Sequence, residues 1–319
     1  LEVAAPRRGL ARACTTPREG FYKVGLSLEV GLGKMDSLVA VYNRIDAVVA
    51  PAVFGGLESM GFKLVQSKAT KGMPFVDSPT GLLICLACYF LIVGFGLLRI
   101  KPAKKADKRP DPFWLRSIVI FHNVFLVLLS LYMCLEVIRQ AVLNKYAIWG
   151  NAYVPKQTDM AHVIWIFYVS KLYEFFDTFI MLLKGNLNQV SFLHVYHHGS
   201  ISFIWWMITY CAPGGDAYFS AAMNSWVHVC MYTYYCMSIA IGKDENKRRK
   251  YLWWGRYLTM MQMTQFALNL FQAAYCQSYS KYPKFLSTIL LYYMITLLIL
   301  FGNFFVRKHI ISGSKKKSA

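Results

Sequence analysis

Seven apolar runs follow one another through the chain, at about residues 80–98, 117–138, 160–183, 192–210, 217–241, 252–275 and 285–306. A stretch of about 20 apolar residues, wound at about 1.5 Å per residue, is as long as the hydrocarbon core of a bilayer is thick. Lipid offers backbone N–H and C=O groups no partner, so each run is expected to close its own hydrogen bonds as an α-helix. The fold class is therefore all-α, a polytopic membrane protein with seven transmembrane helices. A composition of 56% hydrophobic and 16% charged residues fits lipid better than water. The net charge of +19 raises nucleic acid as a partner. Its Lys and Arg, however, cluster between the apolar runs, where they set topology, so the partner they indicate is the bilayer and not nucleic acid. The cysteines lie almost all inside apolar runs and read as small core residues. Cys85-Leu86-Ala87-Cys88 lacks the second ligand pair that zinc requires.

The flanks differ from this core. Residues 1–34 carry Arg7, Arg8, Arg12 and Arg18 with few acids, and Met35 opens a new segment. They are read as an atypical leader of translated upstream sequence, with a transit peptide as the competing reading. Residues 35–79 read as an amphipathic, interfacial lead-in, residues 80–310 as the membrane domain, and residues 311–319 as a basic tail. Arg99, Lys101, Lys104, Lys105, Lys108, Arg109 and Arg116 fill the first connection, and Lys243, Lys247, Arg248, Arg249 and Lys250 the fifth. The alternate connections are poorer in basic residues, which puts the N-terminus in the lumen and the C-terminus in the cytosol. Lys316-Lys317-Ser318-Ala319 resembles the dilysine retrieval signal of endoplasmic reticulum membrane proteins.

Polar side chains inside such helices are costly and usually functional. The third run contains Lys171, Glu174, Asp177 and Thr178, and helical spacing puts Lys171, Glu174 and Thr178 on one face with Asp177 at its edge. The fourth opens with His194, His197 and His198, spaced i, i+3 and i+4. The fifth contributes Asn224 and His228 one turn apart, then Tyr232 and Tyr235, and the sixth Gln262 and Gln265. His122 and Asn123 in the second run form a weaker fifth element with a supporting role. Counted along the helices, Glu174, the His194 group and Gln262 fall within about 5–15 Å of the cytosolic ends. Four helices thus aim polar groups at one cavity open to the cytosol, as an enzyme acting on a lipid-like chain requires.

Two chemistries suit the histidine stripe. Membrane di-iron desaturases and hydroxylases use boxes of this shape, but they need several boxes, and the seven histidines of this chain make only one. The other is nucleophilic or general-base catalysis by imidazole, with no metal. A non-enzymatic seven-helix receptor or transporter is the remaining class. The sequence has no Asp-Arg-Tyr or Asn-Pro-x-x-Tyr element and no inverted repeat to support it.

Taken together, Lys171, Glu174, Asp177 and Thr178, then Phe192 to His198, then Asn224, His228 and Met231 to Tyr235, then Thr259, Gln262 and Gln265 resemble the signature motifs of the very-long-chain fatty acid elongase family. Order, spacing and host helices all match over about residues 35–310. Gln189, the stretch Ser191 to Ile201, and Trp149 to Tyr153 resemble most the polyunsaturated-fatty-acid elongases of the delta-6 type found in mosses and algae. The leader has no counterpart in that pattern.

The resemblance implies a seven-helix fold, six helices surrounding a closed-ended acyl tunnel. It also implies a 3-ketoacyl-CoA synthase that joins a polyunsaturated acyl-CoA to malonyl-CoA and releases carbon dioxide and CoA, with no bound cofactor. His197 is the expected nucleophile, giving an acyl-imidazole, with His228 facing it. His194 and His198 orient the pair, and Asn224 or a tyrosine steadies the oxyanion. Lys184, Lys247, Arg248 and Arg256 are candidates for the CoA phosphates at the cytosolic mouth. The implied partners are the ketoacyl-CoA reductase, dehydratase and enoyl-CoA reductase of the elongation cycle, and a homodimer is compatible with the pattern.

Overall fold

The structure, a computed structural model, describes residues 29–101 and 111–307, with only the backbone of 29–36. Most of the leader (1–28), the basic residues Lys104, Lys105, Lys108 and Arg109, and the tail with its dilysine pair lie outside the described residues. By packing the chain divides after Ile45 into two units, and the larger, residues 46–319, holds everything that follows.

All the regular elements among the described residues are helical: α1 Glu29–Ser59, α2 Thr80–Arg99, α3 Phe113–Leu143, α4 Thr158–Tyr173, α5 Phe175–Leu183, α6 Phe192–Cys211, α7 Ala217–Ile241, α8 Glu245–Tyr251, α9 Leu258–Tyr279 and α10 Lys284–Phe305. Each apolar run of the sequence coincides with helix, but the third divides. Glu174 (φ −62°, ψ −11°) separates α4 from α5. Ser170 Oγ donates back to the Phe167 carbonyl at 2.7 Å, a bond that competes with the helical ladder and bends helices. The sixth run starts later than its hydropathy predicts, because Trp253–Tyr257 forms a 3-10 turn ahead of α9.

Among the described residues, Ser37–Ser59, Thr80–Arg99, Phe113–Leu143 and Lys284–Phe305 are long and apolar enough to cross a bilayer. The first of these falls in the segment expected to be interfacial. Of the helices carrying the four main polar constellations, α4 and α5 are each too short for this set because the third run divides, and α6, α7 and α9 are kept out of it by the hydropathy of their polar side chains.

Helix α3 lies along α7, α9 along α10, and α4 packs against both α3 and α6. Tyr89, Phe167, Tyr168 and Trp206 are fully buried between them. The lead-in after α1 is tied down by Thr70 Oγ1, which donates to the Thr209 carbonyl at 2.7 Å, and by Trp206 Nε1, which donates to that of Val76 at 3.1 Å. Helices α2 and α6 approach closely at Gly199, where a Cβ would sit 2.7 Å from Phe90 Cζ. At the opposite end of α6, the buried Asp216 carboxylate accepts from the backbone N–H of Gly150 and Asn151, each at 2.9 Å, from Cys276 Sγ at 3.1 Å, and from Ser280 Oγ.

Candidate active site

The third run supplies a charged centre. Lys171, in the last turn of α4, and Glu174, at the break, are 2% and 1% exposed, and Lys171 Nζ donates to Glu174 Oε1 at 2.7 Å. The same ammonium donates to Asn224 Oδ1 on α7 at 2.9 Å and lies 4.3 Å from the centre of the Phe167 ring. A buried charge persists only with partners of this kind. His228 Nδ1 approaches Glu174 Oε1 at 3.3 Å. Asp177, one turn on, faces elsewhere: it is held by His122 Nε2 at 2.8 Å and by Tyr232 Oη, which donates at 2.6 Å. His122, with the buried Asn123 next to it in the chain, thus touches the motif through Asp177.

Helix α6 begins where Ser191 accepts from the His194 N–H at 3.3 Å, an N-cap that fixes the register of the histidines. They take different partners. His194 Nε2 meets Thr178 Oγ1 at 2.8 Å, and Tyr89 Oη meets the same hydroxyl at 3.1 Å. His197 Nδ1 meets Tyr293 Oη on α10 at 3.1 Å. His198 is buried, its ring 4.4 Å from that of His194, and its Nδ1 has no partner among the described residues. Nor do three His, Cys, Asp or Glu side chains among the described residues converge as metal ligands.

The remaining predicted residues are nearby with more varied roles. Tyr235 is partly exposed, its ring 5.8 Å from that of Tyr232. Gln262 Nε2 donates to Met231 Sδ at 3.6 Å. Gln265 is buried, and its Oε1 has no partner among the described residues. Among the described residues no hydrogen bond joins His197 to His228, and His228 is engaged by Glu174. Of the basic candidates, Lys184 pairs with Asp111 at 2.6 Å and Lys247 with Asp244 at 3.6 Å. Arg248 donates to Ser238 Oγ and to the Gly242 carbonyl, and the Arg256 guanidinium sits 4.7 Å from the centre of the Tyr257 ring.

A narrow cavity runs between α6, α7, α9 and α10. His197, Asn224 and Gln265 line one end, and Ala217, Cys276, Tyr282 and Asp216 the other. The α6 residues that line it, from His197 to Ile208, span roughly 16 Å at the helical rise. Its middle is mostly apolar, with Ile204, Trp205, Phe266 and Leu290. A long apolar slot ending in a few convergent polar groups suits an elongated apolar ligand with a reactive head. With Asn224 Oδ1 taken up by Lys171, its amide Nδ2, which has no partner among the described residues, can donate toward that head.

Three participants escape sequence reading. Tyr293 and Ser200 are hydroxyl-bearing positions in apolar runs that carry many such residues, and only the approach of α10 to α6 brings them to His197. Asp216, after Ala212-Pro213-Gly214-Gly215, is 3% exposed, and no spacing in the sequence marks it.

The chain matches the family model described as ELO, the GNS1/SUR4 family, over residues 74–317. It is 44% identical over 206 residues to fatty acid elongase 6 of Leishmania major, covering 61% of this chain and 53% of that protein. The chain thus spans about half the length of that relative. It is 35% identical over 251 residues to very long chain fatty acid elongase 5 of Rattus norvegicus and to that of Homo sapiens, covering 77% of this chain and 80% of each. All four motifs quoted above fall inside the matched residues, and the chain belongs to the ELO (GNS1/SUR4) family.

Proposed function

We propose that the chain is a 3-ketoacyl-CoA synthase that condenses a polyunsaturated acyl-CoA with malonyl-CoA. The observation that carries this reading is His197, which lines the cavity head with Nδ1 bound and, among the described residues, no partner on Nε2. In the proposed reaction the acyl chain lies in the slot and Nε2 attacks the thioester carbonyl. The C–S bond breaks, and CoA leaves as the thiolate and takes a proton from water. Malonyl-CoA then loses carbon dioxide, and the enolate so formed attacks the acyl carbon, returning the Nε2–C electron pair to the imidazole. Asn224 Nδ2 is the donor for the oxyanion, and Lys171, which fixes Asn224, acts by orienting it.

The family and the run of apolar helices support an integral membrane enzyme with seven spans, resident in the endoplasmic reticulum with its C-terminus in the cytosol. Its products would pass to the reductases and dehydratase of the elongation cycle. The CoA phosphates would bind at the cytosolic mouth, where the concave surface around Lys243, Arg248 and Arg249 adds to the candidates Lys184, Lys247 and Arg256. Microsomes from cells expressing the chain, given labelled malonyl-CoA and an acyl-CoA panel, should form longer 3-ketoacyl products. His197→Ala should abolish them. Elongation that persists in His197→Ala rules out the site, and a panel converted without regard to unsaturation rules out the substrate class.

A further inference from the structure

The attack just described sets a condition on the imidazole that His197 cannot meet alone. A neutral imidazole carries one proton, and Nε2 can attack only if that proton sits on Nδ1. Inside an apolar bundle an Nδ1–H needs an acceptor. Tyr293 Oη, 5% exposed on α10, is the hydrogen-bonding atom next to it at 3.1 Å.

The surroundings of that hydroxyl leave it able to accept. Ser200 Oγ, one turn beyond His197 on α6, donates to Tyr293 Oη at 3.0 Å or to the Tyr196 carbonyl at 2.6 Å. The Tyr293 hydroxyl can donate to the His197 carbonyl, 3.5 Å away. The oxygen of Tyr293 is then left to accept, which is the role an Nδ1–H requires. The ring of Tyr293 packs at 6.2 Å from that of Tyr196, and Tyr196 Oη bonds Thr296 at 3.1 Å, so α6 and α10 are joined on both sides of the contact.

We propose that Tyr293 is the positioning residue of the reaction, accepting the Nδ1–H of His197 so that the Nε2 lone pair faces the cavity. The inference rests on His197 being the nucleophile. When Nε2 bonds to the acyl carbon and the C–S pair leaves with CoA, the imidazole becomes a cation and its Nδ1–H a stronger donor. The bond to Tyr293 therefore strengthens along the reaction. When the enolate takes the acyl group, the electron pair returns to Nε2, Nδ1 keeps its proton, and the residue is ready for the next chain.

The test is the first half-reaction: free CoA released from acyl-CoA by the purified full chain in detergent, with no malonyl-CoA present. Tyr293→Phe keeps the ring and removes only the oxygen. Its limiting rate should fall about tenfold to a hundredfold, as expected for a hydrogen bond to a group that becomes charged, while KM for acyl-CoA stays within about twofold. Loss confined to KM, or a rate equal to that of the parent, overturns the assignment. Should Tyr293→Phe not accumulate, Ser200→Ala carries the test. It frees the tyrosine hydroxyl to turn from His197 and should slow the same step about twofold to tenfold, and an unchanged rate overturns the proposal. His197→Ala in the same assay separates the two ideas. Persistent CoA release there removes the nucleophile itself, whereas its loss alongside a parental Tyr293→Phe removes only the tyrosine.

Discussion

The buried pair Lys171–Glu174 offers the sharpest energetic test. At 2.7 Å and an effective dielectric constant of about 20, the gross attraction of two unit charges is about 6 kcal/mol. Desolvation costs several kcal/mol per ion, so the intact pair contributes little net stability. Removing one member is different. Lys171→Met leaves the Glu174 carboxylate 1% exposed, with Oε2 unpartnered among the described residues and only His228 against Oε1. An uncompensated buried charge costs about 3–5 kcal/mol. Lys171→Met also leaves Asn224 Oδ1 without its donor. For a chain of this size about 2 °C of melting temperature accompanies each kcal/mol, so the variant should melt roughly 6–10 °C lower. A thiol-reactive dye reads this in detergent, because Cys134, Cys211 and Cys276 are buried and become labelled on unfolding. Lys171→Met/Glu174→Gln, which removes both charges, should recover at least half of the loss. The reasoning is refuted if Lys171→Met melts within about 2 °C of the parent, or if the double substitution loses as much as the two singles added together.

Ala273 is fully buried and lines the far half of the cavity, so Ala273→Phe should shorten the longest acyl chain elongated. Gas chromatography of lipids from yeast fed a fatty acid panel would read the change, and an unaltered product distribution would place the chain elsewhere. At Gly255 a Cβ would lie 2.2 Å from Tyr234 Cε2, whose ring packs on Trp254 with centroids 5.2 Å apart. Gly255→Ala should therefore cost about 1–3 kcal/mol and lower the melting temperature by about 2–6 °C, and an unchanged melting curve would refute the close approach.

What the sequence makes legible follows from how local each signal is. The helices are legible because lipid allows a long apolar run no other hydrogen-bonded form, and the N-cap Ser191 even marks the start of α6. The motif faces are legible because i, i+3 and i+4 spacing decides which side chains share a side: Lys171 and Glu174 do meet. Contacts between helices are not encoded at that range. Nothing in the spacing of α6 tells that His197 turns to α10 while His194 turns to Thr178 on α5. The break at Glu174 escapes hydropathy because apolar residues flank it on both sides. The basic candidates illustrate the limit for charge: counting Lys184 and Lys247 cannot foresee that Asp111 and Asp244 pair with them.

Asp216 imposes a schedule on the making of the protein. Two of its donors, Gly150 and Asn151, precede it in the chain, while Cys276 and Ser280 follow it by 60 and 64 residues. At about 5–20 residues per second, roughly 3–13 s separate the synthesis of the acid from that of its last partner. Throughout that interval the carboxylate has the donors of its Oδ1 within the chain already made but not those of its Oδ2. A nascent chain is thus held at an incomplete stage until its final quarter arrives. A chain ending before Cys276 would lack Cys276 and Tyr282 at that end of the cavity and α10 along its side.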